Sequence, residues 1–141
     1  LDMGAGHLVC VDRDGAKAEA LAQELSARFG AERVSSSNEP AAVVSGAAGL
    51  IHATPTGMLK LPGMPLDAAL LRRDLWVSEI VYSPIETALL KAARALGAKT
   101  VDGSGMAIGQ AVGAFKLFTG LDPDPVRLDA HFHHLLAQRG L

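Results

Sequence analysis

Apolar and polar positions are grouped along this chain in two recurring ways. Short apolar runs ending at an acid or at a Pro- or Gly-containing turn alternate with longer stretches whose apolar residues recur every third or fourth position. The run HLVCVD (7–12) reads as a buried parallel strand that ends in a carboxylate. Asp14 stands where a helix N-cap is wanted. Residues 16–29 carry Leu21, Leu25 and Phe29 at four-residue intervals before Gly30, which predicts a helix with that face inward. Residues 33–36 predict a short strand, 39–45 a short helix, and GLIHA (49–53) another buried strand. A Pro/Gly-rich stretch (54–65) follows, and 67–71 predicts a turn or two of helix. LWVSEIV (75–81) predicts a strand, and 86–96 a helix with Leu89, Leu90, Ala93 and Leu96 on one face, stopped by Gly97. Beyond it come a strand at 99–101, a helix at 106–118 and an amphipathic helix at 124–139, where Val126, Leu128, Phe132, Leu135 and Leu136 share the apolar side.

This alternation predicts an α/β fold with a doubly wound, Rossmann-like parallel sheet. In a dinucleotide-binding sheet of this kind a glycine-rich loop joins the first strand to the first helix. No G-x-G-x-x-G precedes the acid-ended strand, and Gly4-Ala5-Gly6 leads into a strand instead of out of one. The expectation is a single dinucleotide-binding domain over 1–141 that lacks its first strand and glycine-rich loop. Residues 1–3 before Gly4 read as the last turn of a helix. Such a chain would expose unpaired backbone on both flanks of the gap and would be unstable or self-associating alone, so a homo-oligomer is among its expected forms.

Composition narrows the function classes. The 141 residues are 49% hydrophobic and 20% charged, which suits one folded domain and excludes a disordered tail. A net charge of −2 leaves no basic excess to neutralise a nucleic-acid backbone. Every apolar stretch is broken by charge or glycine before it could span a membrane. The single cysteine, Cys10, cannot form an internal disulfide and argues for a reducing compartment, the cytoplasm; inside a strand without an activating base, it is expected to be inert. His131, His133 and His134 fall close together, but no carboxylate or cysteine completes a ligand set, so no metal site is expected.

Candidate chemistry lies where predicted strands end, because open α/β sheets bind ligands outside the carboxyl ends of their strands. Asp12 is placed to accept hydrogen bonds from ribose hydroxyls and to repel a 2′-phosphate, although an acid after a short strand is more often a turn former or helix cap. The neighbouring Arg13 would pair with such a phosphate or stack on adenine. In HATPTGM (52–58), proline restricts Thr54 to extended backbone and Gly57 permits close approach, which also describes a plain rigid turn. Tyr82 would present a phenol at a strand end, or simply sit at the edge of the core. Asp102-Gly103-Ser104-Gly105-Met106 offers backbone that a flat ring could approach. Gln110 lies one turn beyond Met106 with an amide able to donate and accept.

The segments HATPTGM (52–58), EIVYSPIETALLKAARALGAKTVDG (79–103) and MAIGQAVGAFKLFTG (106–120) resemble, in this order, the C-terminal nucleotide-binding domain of the shikimate/quinate dehydrogenase family. The resemblance covers nearly the whole chain. It is strongest to the NAD-preferring quinate/shikimate branch, through Asp12 and the wording PIETALLKAARALG. NADP-dependent members resemble an Asn-Arg-Ser/Thr pattern where this chain has Asp12-Arg13-Asp14.

The resemblance implies that Asp12 and Arg13 meet the adenosine ribose, and that Thr54, Pro55, Ile80, Gly103 and Met106 line the cofactor cleft. Tyr82 and Gln110 would reach the hydroxyls or carboxylate of the substrate. The family's usual asparagine before Ala-Thr-Pro is His52 here. The implied cofactor is NAD, or NADP; the implied substrate is shikimate or quinate, oxidised reversibly to the 3-dehydro ketone. The family's catalytic lysine and aspartate belong to an N-terminal domain, so no catalytic residue is assigned in this chain, and alone it is expected to be inactive. Two other readings stay open: a non-catalytic nucleotide-binding or assembly module of the same fold, and a different dehydrogenase such as a glutamyl-tRNA or folate-linked enzyme.

Overall fold

A computed structural model describes residues 1–140. The chain divides into two compact units, Leu1–Ala47 and Ala48–Leu141, each with its own parallel sheet.

In the first unit β1 (Leu8–Val11) pairs in parallel with β2 (Val34–Ser37), Leu8 opposite Val34 and Val11 opposite Ser37. The crossover is α1 (Gly15–Phe29), and α2 (Pro40–Val44) follows β2. The Asp14 carboxylate accepts from the Ala16 N–H at 3.1 Å and so caps α1, as the sequence predicts. Gly30, with φ near 98°, ends the helix while its N–H donates to the Ser26 carbonyl. The core is Cys10, Ala22 and Val34, with Leu1, Leu8 and Leu25 packed on it. Burial pushes the Cys10 thiol up, away from thiolate.

Two expectations for this unit change. The inward positions of α1 are Ala18 and Ala22, while Leu21 is 49% exposed. Alanine lets a helix approach a strand pair closely, so the buried stripe follows the small residues 18 and 22 and then Leu25. Residues 1–4 form a turn, closed by the Gly4 N–H on the Leu1 carbonyl at 3.2 Å, in place of a helical end. The Arg33 guanidinium holds that segment through the carbonyls of Leu1 and Ala5, at 3.2 and 2.7 Å.

The second unit is a parallel sheet in the order β3 (Gly49–His52), β4 (Trp76–Glu79), β5 (Thr100–Val101). α3 (Ala88–Ala95) connects β4 to β5, and α4 (Ser104–Thr119) packs against α5 (Pro125–Gln138). Leu75, Val77, Leu89, Leu90 and Ala93 are essentially without solvent contact and form the centre of this unit's core. Gly49 lies opposite Trp76, whose indole occupies the space a β-carbon would need, so no larger residue fits there.

Boundaries shift where side chains cap. α3 begins at Ala88, not at 86, because the Thr87 hydroxyl accepts from the Leu90 N–H at 3.3 Å; Leu96, past the last turn, is 46% exposed. α4 begins at Ser104, two residues early, with Gly103 at its N-cap and no side-chain cap; the Asp102 carboxylate accepts the Ser104 N–H in the turn that leads into it. Asp124 caps α5 through the amides of Val126 and Arg127. Residues 67–71 reduce to one 3₁₀ turn, Ala68–Leu70, capped by Asp67.

Candidate functional site

Parallel register brings the carboxyl ends of β3, β4 and β5 to one edge of the three-stranded sheet: His52 stands opposite Glu79, and Ser78 opposite Val101. The loops leaving that edge touch one another. The Leu59 N–H donates to the Ser83 carbonyl at 3.4 Å, tying the loop after β3 to the loop after β4. The Gly57 N–H donates to the Leu61 carbonyl at 2.8 Å in a tight turn where Gly57 adopts φ 97°. Between this turn and the start of α3 lies a shallow, mostly apolar recess bordered by Met58, Pro62, Pro84 and Thr87.

The loop after β5 meets the loop after β4 still more closely. A β-carbon on Gly103 would stand 2.5 Å from the Ile80 carbonyl oxygen and 2.9 Å from that of Val81. Ile80 in turn donates its N–H to the His52 carbonyl at 3.1 Å. Beside Gly103, the Asp102 carboxylate accepts from the Ser104 amide and hydroxyl and pairs with Arg94 at 3.6 Å. Arg94 also bonds the Thr100 hydroxyl at 2.8 Å and pairs with Glu86. Partial burial works to raise the Asp102 carboxyl, but the Ser104 hydrogen bonds and the charges of Arg94 and His133 prevail and hold it below the ordinary range.

A buried polar network underlies this edge. His52, Glu79 and Thr87 are 3%, 2% and 1% exposed. His52 Nδ1 faces both carboxylate oxygens of Glu79, at 2.8 and 3.0 Å, and Nε2 lies 2.6 Å from the Thr54 hydroxyl. Glu79 also accepts from the Val81 N–H at 3.0 Å and the Thr87 hydroxyl at 3.1 Å. Among the described residues no buried side-chain nitrogen or oxygen lacks a partner.

Against this geometry the sequence candidates fall into groups. In the second unit Thr54, Pro55, Ile80, Gly103 and Met106 all lie in, or directly after, loops leaving the carboxyl edge. Contacts between the loops join Ile80 to Gly103 and, through His52, to Thr54. Tyr82 is 44% exposed, with its ring 6.3 Å from that of Phe132 on α5. Gln110 sits on an exposed stretch of α4, one turn beyond Met106. In the first unit Asp12 and Arg13 follow β1; Asp12 is half-buried and accepts the Asp14 N–H at 2.9 Å, while Arg13 is exposed.

Sequence reasoning assigned no part to Glu79 or Thr87. The available signal was an acid inside an otherwise apolar strand, with a histidine ending the strand before it. Among the described residues no group of three or more His, Cys, Asp or Glu could hold a metal ion, and no helix is long and apolar enough to cross a membrane.

No protein-family model matches the chain. A shikimate dehydrogenase (NADP(+)) of Streptomyces avermitilis is 49% identical over 137 residues, which is 96% of this chain and 47% of that protein. A quinate/shikimate dehydrogenase (NAD(+)) of Corynebacterium efficiens is 47% identical over 131 residues, 92% of this chain and 46% of that protein. Among solved structures, quinate dehydrogenase from Corynebacterium glutamicum in complex with NAD superposes with a TM-score of 0.85 at 45% identity, covering 94% of this chain and 48% of that one. The chain thus spans about half the length of the curated relatives it matches. With the α/β, Rossmann-like fold shared and the likeness running along nearly all its residues, the chain corresponds to the C-terminal half of shikimate/quinate dehydrogenases.

Proposed function

We propose that this chain is the dinucleotide-binding part of an oxidoreductase that reversibly oxidises shikimate or quinate to the 3-dehydro ketone. The observation that carries the reading is the gathering of the loops after β3, β4 and β5 on one sheet edge, with Gly103 held against Ile80 and Val81. That is where an α/β sheet receives a ligand, and the relatives matching this edge are named as dehydrogenases.

The residues suit a nicotinamide dinucleotide. In the first unit the Asp12 carboxylate, steadied by the Asp14 amide, would accept from ribose hydroxyls and repel a 2′-phosphate, which favours NAD over NADP. In the second unit Ile80 and Met106, each 36% exposed, offer uncharged surface beside a glycine, as a planar ring requires. Thr54 and Pro55 would form the neighbouring wall. The bound dinucleotide supplies the hydride acceptor. The Tyr82 phenol would donate to a substrate hydroxyl, and the Gln110 amide would donate and accept together.

Movement of the alcohol proton falls, in this reading, to the lysine and aspartate of the family's N-terminal domain, so residues 1–141 alone orient the cofactor without turnover. A free, buried Cys10 accords with a reducing, cytoplasmic setting. The test is formation of reduced nicotinamide by the intact protein with each alcohol and each dinucleotide. Turnover of shikimate or quinate, with NAD preferred, is expected; oxidation of neither alcohol with either dinucleotide overturns the reading.

A further inference from the structure

His52 is nearly without solvent contact, yet one side of its ring meets a fully enclosed carboxylate and the other a hydroxyl at the surface loop. Facing a carboxylate, Nδ1 carries a hydrogen, and it bonds both oxygens of Glu79. Those oxygens are also held by the Val81 amide and the Thr87 hydroxyl, so Glu79 is anchored by the chain after β4 and by the cap of α3. From that anchor the ring reaches Thr54 Oγ1 at 2.6 Å, and the same oxygen accepts the Thr56 N–H at 3.4 Å. One line of hydrogen bonds thus runs from the start of α3, through Glu79 and His52, into the loop after β3. An asparagine in place of His52 could set an atom where Nδ1 lies but none where Nε2 lies, so the link to Thr54 depends on the imidazole.

We propose that His52 is a positioning residue: it couples the buried Glu79 carboxylate to the Thr54 hydroxyl and so fixes the loop after β3 in the shape that receives the dinucleotide. This rests on the cofactor-binding reading above. The coupling through His52 sets the two loops as one body, because neither Thr54 nor Thr87 can shift without breaking a bond to a buried group.

The test uses the intact protein with His52→Asn, Thr54→Val, the double variant and Thr54→Ser. Hydrogen–deuterium exchange of the Thr56 and Gly57 amides is followed without ligand, and KM for NAD and kcat are measured separately. His52→Asn and Thr54→Val are each expected to speed that exchange and raise KM by about fivefold, the worth of one hydrogen bond, with kcat within about twofold. The double variant should be no worse than either single one, and Thr54→Ser should restore both values.

Unchanged exchange in Thr54→Val, or single effects that multiply in the double variant, overturns the proposal. If His52→Asn does not fold, the ring ¹⁵N resonances of His52 decide the matter: they should move in Thr54→Val and return in Thr54→Ser, and identical spectra in all three overturn it. Coupled exchange in a protein that binds no dinucleotide refutes the cofactor reading while leaving the hold of His52 on Thr54 intact.

Discussion

Gly103 is packed so tightly against Ile80 that the carbonyl oxygen of Ile80 lies 2.5 Å from the place of an absent β-carbon. The contact joins backbone to backbone, so no side-chain rotation relieves it. Gly103→Ala is therefore expected to push the loop after β5 away from β4 and to cost about 1–3 kcal/mol, the range for overpacking an ordered interior. The denaturation midpoint measures this, and dinucleotide affinity should fall with it. An alanine variant of unaltered midpoint and affinity would show that the two loops are not held together in this way.

Thr87 has two duties that valine, its near-isostere, cannot perform. Its hydroxyl donates to Glu79 at 3.1 Å and accepts from the Leu90 N–H at 3.3 Å, all within the buried core. Thr87→Val leaves a carboxylate short of one donor and a helix short of its cap, an expected loss of about 1–3 kcal/mol. Thr87→Ser keeps the hydroxyl and is expected to lose less than about 1 kcal/mol. Urea unfolding of the two variants side by side separates the hydroxyl from the methyl group, and equal losses would contradict the role given to the hydroxyl.

The strands and the loops that leave them were legible as apolar runs broken by proline, glycine or an acid, because buried parallel strands leave little room for polar residues. What the residues do to one another was less legible. His52 and Glu79 are 27 positions apart and meet only because β3 and β4 align in that register. No local pattern encodes a register, so their pairing was out of reach. The constraint on Gly103 likewise comes from the backbone of a neighbouring loop, at Ile80 and Val81, whereas its sequence surroundings read as a turn that a flat ring could approach. On α1 the large apolar residues drew attention to Leu21, whereas close packing selected Ala18 and Ala22. At 86–88, helix propensity runs on smoothly, and the cap made by the Thr87 side chain decides where the helix begins.

Asp102 links stability to pH. Its burial opposes the charged form, yet the hydrogen bonds from Ser104 and the charges of Arg94 and His133 leave the folded carboxyl below its ordinary value of 3.8. A depressed folded value means that the ionised form is favoured by folding. Its contribution is present above the unfolded value and is lost as pH falls from about 4 through the lower, folded value. Asp102→Asn keeps an oxygen for Ser104 but cannot titrate. The gap in melting temperature between the parent and this variant should be constant at neutral pH and shrink on acidification below about pH 4. A gap that does not narrow there would exclude the linkage.

Asp12 offers the cleanest separation of cofactor choice from folding. Its Oδ1 accepts the Asp14 N–H at 2.9 Å, and an asparagine oxygen can accept the same bond, so Asp12→Asn removes charge while keeping the turn that leads into α1. The melting temperature should stay within the small range of surface substitutions. Without the carboxylate, a 2′-phosphate meets no like charge and has the exposed Arg13 guanidinium beside it. The ratio of kcat/KM for NADP to that for NAD should therefore rise by about tenfold, equivalent to about 1.4 kcal/mol of removed repulsion. Arg13→Ala in the Asp12→Asn background should cancel most of that gain, because the phosphate would lose its only adjacent charge donor in this turn. An Asp12→Asn variant with the parent's preference between the two dinucleotides would place the ribose elsewhere.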